Sequence, residues 1–359
     1  MLRDPDIARW RLRSQHLVEP HLPTATEVVG ALLAVQAENP SQSAWAVAAR
    51  TSAPDAADLA NLLADGTVLR THVLRPTWHY VLADDLAWLT ELTAPRVRRT
   101  TQQQLHVTHG LDHRAVECAS SAVLDALATS ELTRAALAGA LVERGVQITG
   151  AALVLLLADL ELQALVASGR PLVDGTHTYA RFADRIPAPR RLERGAALAE
   201  LARRYFAGHG PATERDLAYW ATLSLGDVRA GLRQVSGELG SFEHDGRTFW
   251  HSPADPPSSA GTPASHLLQI LDETYRGYQD SRWLLDAAGI VPRAREAATG
   301  MALVDAQLVA SMKRTLSADR VVFELRPYRP LAGTDVTALE AAASRYGAYV
   351  LRTPVLDVR

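Results

Sequence analysis

Three times along this chain, helical periodicity gives way to two short β-rich segments joined at a turn dipeptide. The first pair is Val68–Leu74 and Thr77–Leu82, split by Arg75-Pro76. The second spans Pro171–Phe182 around Asp174-Gly175, and the third Ser241–His251 around Asp245-Gly246. Asp-Gly supplies the positive φ that a tight hairpin turn needs, so the last two read as hairpins. Each follows about three helical segments. In the first block these are Thr24–Ala37, Ser43–Ala49 and Asp58–Leu63; in the second Arg114–Leu127, Thr133–Glu143 and Ile148–Leu165; in the third Arg191–Ala207, Glu214–Thr222 and Leu225–Val235. Thr24 and Glu27 are spaced as a capping box, and Thr133 and Thr213 stand where N-caps belong.

Such repetition predicts a mainly α chain with β-hairpin wings, an α+β fold. It divides into three tandem winged-helix units, residues 1–108, 109–188 and 189–253. A C-terminal β-rich segment, 254–359, follows with strands at His266–Leu271, Ala302–Met312 and Arg320–Leu325 and a closing helix at Thr334–Tyr346. A Pro/Ser/Gly linker is expected at Ser252–Pro263. Winged helices bind DNA through a recognition helix and a hairpin, but they also serve as protein-interaction modules.

Composition narrows the classes. At 359 residues, 47% hydrophobic and 21% charged, the chain can bury several cores and is not disordered. Its net charge of −3 excludes a generally basic nucleic-acid coat but not a local basic surface. Lys313 is the sole lysine among 37 basic residues, a bias that a GC-rich genome explains and that phosphate binding also suits. One cysteine, Cys118, excludes an internal disulfide framework and a Cys-rich zinc site. His106, His109 and His113 read as a polar loop rather than a metal site. The N-terminus lacks the apolar core of a signal peptide, and Ala151–Ala158 is far too short to span a membrane. A cytoplasmic protein without a cofactor is expected. No P-loop, G-x-G-x-x-G or G-x-S-x-G pattern supports nucleotide or hydrolase-triad chemistry.

The most informative string is Val35-Gln36-Ala37-Glu38-Asn39-Pro40. Gln36 continues the apolar face of its helix, where a buried amide needs a partner. Pro40 disfavours helical geometry at Asn39, so the helix is expected to end near Ala37. If the ending is extended, Gln36 and Glu38 point the same way and can converge on one pocket. Otherwise the pair merely finishes a helix at a domain surface.

The whole chain resembles the AlkZ/YcaQ-like family, bacterial DNA glycosylases of tandem winged helices. The resemblance rests on Val35–Pro40, on Leu74-Arg75-Pro76-Thr77-Trp78-His79, and on Gly208-His209-Gly210-Pro211-Ala212-Thr213 with Tyr219-Trp220. It continues in Asp272-Glu273-Thr274-Tyr275, Gly277-Tyr278-Gln279-Asp280 and Arg326-Pro327-Tyr328-Arg329-Pro330-Leu331. The family's catalytic motif is Gln-x-Gln or Gln-x-Asp, which falls here on Gln36 and Glu38. Glutamate in the second place keeps an acceptor and a charge but adds a methylene to the aspartate version. Ala310-Ser311-Met312-Lys313-Arg314 and Trp220-Ala221-Thr222-Leu223 depart from the family strings Gly-Thr-Trp-Arg-Arg and Trp-Ser-Gly-Leu, which suggests a specialised branch.

The resemblance implies a monofunctional glycosylase that hydrolyses the N-glycosidic bond of alkylated purines. N7-alkylguanine is the expected substrate, with bulky natural-product adducts or crosslinks in view, in alkylation repair or antibiotic self-resistance. An alkylated purine is already a good leaving group, so a positioned water and a carboxylate suffice. Glu38 would take the water's proton and Gln36 would orient the water. No lysine near Gln36 supplies a Schiff-base amine. Damaged double-stranded DNA is the expected partner of a monomer. Contacts are expected from Arg75, Trp78 and His79 at the first wing, from Arg96, Arg98 and Arg99, and from Arg190 and Arg191. Each cluster could equally be a solvated face, and Trp78 a core residue. The alternative function is a non-catalytic winged-helix regulator, which would tolerate loss of Gln36 and Glu38.

Overall fold

The computed structural model describes residues 2–254, 264–269, 271–292 and 300–359. The linker expected at Ser252–Pro263 lies outside the described residues from 255 onward. One order of elements recurs three times: a helix, a short strand, two helices and a hairpin. In the first block these are Ala25–Leu32, Val35–Gln36, Pro40–Ala48, Ala56–Asp65 and the strands Val68–His72 and Trp78–Leu82. In the second they are His113–Ala126, Leu132–Thr133, Arg134–Glu143, Gly150–Leu162, Val166–Ser168 and Thr178–Arg181. The third has Arg194–His209, Glu214–Trp220, Leu225–Val235, Gly240–His244 and Arg247–His251. There the short strand is a single bridge, Ala212 to Trp250. In the first two blocks the short strand pairs antiparallel with the hairpin's second strand, making three-stranded sheets.

Local signals set these ends. Thr24 accepts from Glu27 N while Glu27 reaches back to Thr24 N. Thr133, Thr213 and Ser224 cap their helices through their hydroxyls. Asp245 and Gly246 turn the third hairpin with φ of 49° and 68°.

Several expectations are corrected. The helix from Thr24 ends at Leu32, not Ala37, because Leu33 turns left-handed (φ 64°) and Val35–Gln36 pairs with Tyr80 and His79. An apolar run of this length suits a buried strand as well as a helix, and the sheet decided. The expected strand Ala302–Met312 is two, Gly300–Val304 and Gln307–Leu316, turned at Asp305-Ala306 with both φ positive. The longest elements not foreseen are helix Asp4–Ser14, the 25-residue helix Ala83–Val107 with Pro95 inside it, and strand Thr353–Val358. That last strand adds parallel to Arg320–Pro327 and completes a five-stranded sheet covered by helix Gly333–Val350. Among the described residues no helix is long and apolar enough to cross a membrane.

The first and third blocks share one core, in which Leu33, Leu69 and Trp88 meet Leu201, Tyr205 and Trp220. The second block has its own core of Val123, Leu137, Leu153 and Leu156. Gly208 lies where helix Arg194–His209 crosses Ala25–Leu32, and a Cβ there would overlap the Ala31 carbonyl oxygen. Gly208→Ala gains about 1 kcal/mol of helix propensity. The overlap forces the helices apart at about 1–3 kcal/mol. We expect a net loss of stability, read as a lower urea midpoint at unchanged slope; a midpoint at or above wild type would refute the close packing.

Candidate functional site

Gln36 and Glu38 sit on the short strand and on the segment that leaves it. Gln36 is opposite His79 in the antiparallel register, and its side chain is buried. Its amide is engaged at both ends: Nε2 donates to Thr77 Oγ1 (3.0 Å) and Oε1 accepts from Glu38 N (2.9 Å). Glu38 is exposed, and its Oε2 accepts from Trp78 N at 3.2 Å. The backbone between them is clamped by Arg70, whose Nε donates to Ala37 O (2.8 Å) and Nη2 to Glu38 O (3.2 Å). The Arg70 guanidinium in turn lies 4.0 Å from the centre of the Trp78 ring. Thus Gln36 and Glu38 do not converge side by side on one pocket. Gln36 lies beneath, holding the backbone that presents Glu38.

A second support is fully buried. The Gln36 N–H donates to Glu273 Oε1 at 2.9 Å, and Trp220 Nε1 donates to Glu273 Oε2 at 2.8 Å. His209 Nε2 is 3.4 Å from the same oxygen. Burial alone would push the Glu273 carboxyl up. The His209 hydrogen bond and the Arg75 charge outweigh it and pull the group down to about 2. Arg75 donates to Trp220 O and Arg276 O and lies 3.2 Å from His79 Nε2. Burial first, then the Arg75 charge, pushes the His79 imidazole down to about 3. A further buried pair, Arg50 with Asp272 at 2.8 Å, anchors the segment that carries Glu273. The strings Gly208–Thr213, Tyr219-Trp220 and Asp272–Asp280 therefore meet in one polar spine under Gln36.

Glu38 opens into a cleft of about 510 Å³ between the first two repeats. One wall is Glu38, Pro40, Arg70 and Trp78; the other includes Arg134, Leu153, His177 and Tyr179. The first hairpin meets the second block beside it, where His72 Nδ1 is 2.5 Å from Glu161 Oε2 on helix Gly150–Leu162 and Arg70 N donates to Ser168 Oγ on strand Val166–Ser168. A larger cavity of about 1200 Å³ lies elsewhere, between the C-terminal sheet and helix Gly333–Val350, and holds none of the motif residues. Among the described residues, no three His, Cys, Asp or Glu side chains are grouped to hold a metal.

The expected DNA contacts fare unevenly. Trp78 is half-buried on the cleft. Arg75 and His79 are corrected: both are inside the molecule, spent on the spine, with no face to offer a phosphate. Arg98 forks onto Asp159 at 2.9 and 3.3 Å. Arg190 pairs with Asp85 and Glu200, and Arg191 with Glu91. Arg96 and Arg99 are exposed and form no ion pair among the described residues. Sequence reasoning missed Arg70, Arg134, His177 and the roles of Glu273 and Trp220. No local spacing marks them, although Trp220 and Glu273 sit in strings that carried the resemblance.

The family description DNA glycosylase AlkZ-like matches residues 29–349. The solved structure of Streptomyces sahachiroi DNA glycosylase AlkZ is similar over 99% of this chain and 98% of its own, with a TM-score of 0.78 and 21% identity. At that identity the likeness speaks for the fold. No curated protein matches the chain.

Proposed function

Because the chain belongs to the AlkZ-like family and is a DNA glycosylase, we propose that it hydrolyses the N-glycosidic bond of N7-alkylguanine in damaged duplex DNA. The observation that carries this reading is Glu38: an exposed carboxylate fixed by Trp78 N and by the Arg70 clamp on the wall of a cleft between repeats. In the proposed reaction its charge favours the oxocarbenium-like sugar as the bond to the cationic base lengthens. Its oxygen takes the proton from the water that attacks C1′, and the base leaves with the electron pair of the broken bond. Gln36 is a positioning residue in this scheme, because its amide is committed to Thr77 and Glu38. The products are the free base and an abasic site. Lys313, the sole lysine, stands on strand Gln307–Leu316 of the C-terminal sheet, outside the cleft lining, so no Schiff base is part of the scheme.

We propose further that one chain acts alone, in the cytoplasm, in alkylation repair or self-resistance to an alkylating natural product. Arg134 on the cleft wall and exposed Arg96 and Arg99 are the cations proposed to meet phosphates. The test is release of labelled base from duplexes bearing N7-methylguanine or a bulkier N7 adduct, with alkali revealing abasic sites. Release above spontaneous depurination is expected. Tight binding with no release on either adduct would overturn the substrate assignment.

A further inference from the structure

The turn of the second hairpin holds two adjacent aliphatic side chains in water. Val173 is the most exposed large hydrophobic residue among those described, and Leu172 beside it is 49% exposed. No other two exposed large hydrophobics among the described residues are neighbours in sequence. The other two hairpin turns expose no Leu, Ile or Val: Leu74 is buried in the first, and the third is His244-Asp245-Gly246-Arg247. Turn formation needs Asp174-Gly175 but not the aliphatic pair before it. The turn itself is well tied. Gly175 N donates to Leu172 O at 2.8 Å, Leu172 N to Thr176 O at 2.9 Å, and Thr176 N to Asp174 Oδ1 at 2.8 Å. Further down, Gly169 N donates to Thr178 O and Thr178 Oγ1 to Arg170 O. Thr176 and His177 of this same loop line the cleft that holds Glu38. Arg170 in the loop and Arg134 on the cleft wall are exposed and form no ion pair among the described residues.

We propose that Leu172 and Val173 are an apolar wedge that enters the minor groove of the damaged duplex between base pairs and opens it toward the Glu38 cleft. The inference rests on the glycosylase reading above and adds how the duplex is engaged. Aliphatic side chains pushed into a base step from the minor groove partly unstack it and bend the duplex toward the major groove. The base faces then cover the two side chains that water covers in the free protein, which is the favourable direction for apolar surface. The same bend widens the minor groove, the side from which C1′ is reached, and so admits the carboxylate and its water. Guanine N7 lies on the opposite, major-groove edge. An alkyl group there does not obstruct a wedge that enters from the minor groove. Arg170 and Arg134 are placed to neutralise backbone phosphates beside the wedge. A protein partner fits this tip poorly, because two side chains fall far short of the about 800 Å² per partner that a stable interface buries.

The full chain is compared with two double variants, Leu172→Ser with Val173→Ser, and Leu172→Met with Val173→Leu. The first removes the apolar tip and the second keeps it. Both positions are exposed, so neither pair disturbs a core. The binding probe is a duplex with 2-aminopurine beside a 2′-fluoro N7-methylguanosine, whose fluorine slows loss of the base, so unstacking is read without release. Single-turnover release is measured on the same sequence without fluorine. Wild type and the Met/Leu pair are expected to raise 2-aminopurine fluorescence on binding, and the Ser pair is not. The Ser pair is expected to release N7-methylguanine about tenfold more slowly, the worth of the apolar contact it loses, and the Met/Leu pair to recover most of that rate. Release by the wild type with no fluorescence rise, or with an equal rise in the Ser pair, overturns the inference alone. So does a wild-type dimer that the Ser pair turns into a monomer in sedimentation, which would assign the tip to a second copy. No release by the wild type, with the fluorescence rise intact, overturns the substrate reading and leaves the wedge standing as a mode of duplex binding.

Discussion

Replacing Glu38 by alanine is expected to slow base release by about 10²- to 10⁴-fold, the usual worth of a positioned proton acceptor. Binding to the same duplex should persist. The side chain is exposed and holds only Trp78 N among the described residues, so its loss leaves the core untouched and stability within about 0.5 kcal/mol of wild type. Single-turnover rates and a binding titration separate the two effects. Glu38→Gln is the informative companion. It keeps an oxygen for Trp78 N and for orienting water but loses the charge, so its rate should fall between alanine and wild type. That intermediate measures how much of the catalysis is electrostatic. A wild-type rate in Glu38→Ala would remove Glu38 from the reaction.

Mild acid should destabilise the protein above the usual carboxylate range. Burial pushes three imidazoles down to about 3: His79 beside Arg75, Glu273 and His72; His177 beside Arg70, His72 and Arg134; and His266 beside Arg345, Arg50, Asp272 and His21. Each binds its proton more weakly in the folded chain than in the unfolded one. Their contribution is therefore whole above about pH 6.5 and is lost as the pH falls from there toward 3. Between pH 7 and pH 5 each removes about 2 kcal/mol, and the three together about 6 kcal/mol, which is comparable with the whole stability of many domains. Glu273, held down at about 2, acts in the same direction, but only below about pH 4.5. Urea midpoints at pH 7 and 5 test this. His266→Phe should recover about a third of the loss, since it deletes one of the three titrations. Equal midpoints at the two pH values would mean that these imidazoles are not held neutral.

Much of the fold was legible because its signals are local. Thr24 with Glu27, Thr133 with the Ala136 N–H, and Asp245-Gly246 act across two to four residues, and neighbours in sequence can be read without knowing what packs on them. The pairing of Gln36 with Glu38 in one motif was equally legible, and so was the extended geometry that an X-Pro step favours. The same logic fails where a distant element chooses between two locally acceptable states. Leu33–Gln36 suits a helix until Trp78–Leu82 offers a strand partner. Arg75 and His79 look like surface cations until the Glu273 segment closes over them.

By itself, then, the sequence determined the threefold order of helices and hairpins, the caps and turns that bound them, and the pairing of Gln36 and Glu38 in one short string. The tertiary structure alone decided which of those side chains faces the cleft. Glu38 is outside and Gln36 inside because Gln36 is held by Thr77, His79 and a carboxylate 237 residues away. Such long contacts leave no periodicity in the chain. They are fixed by the burial of polar groups, each of which must find a partner wherever the fold has placed one.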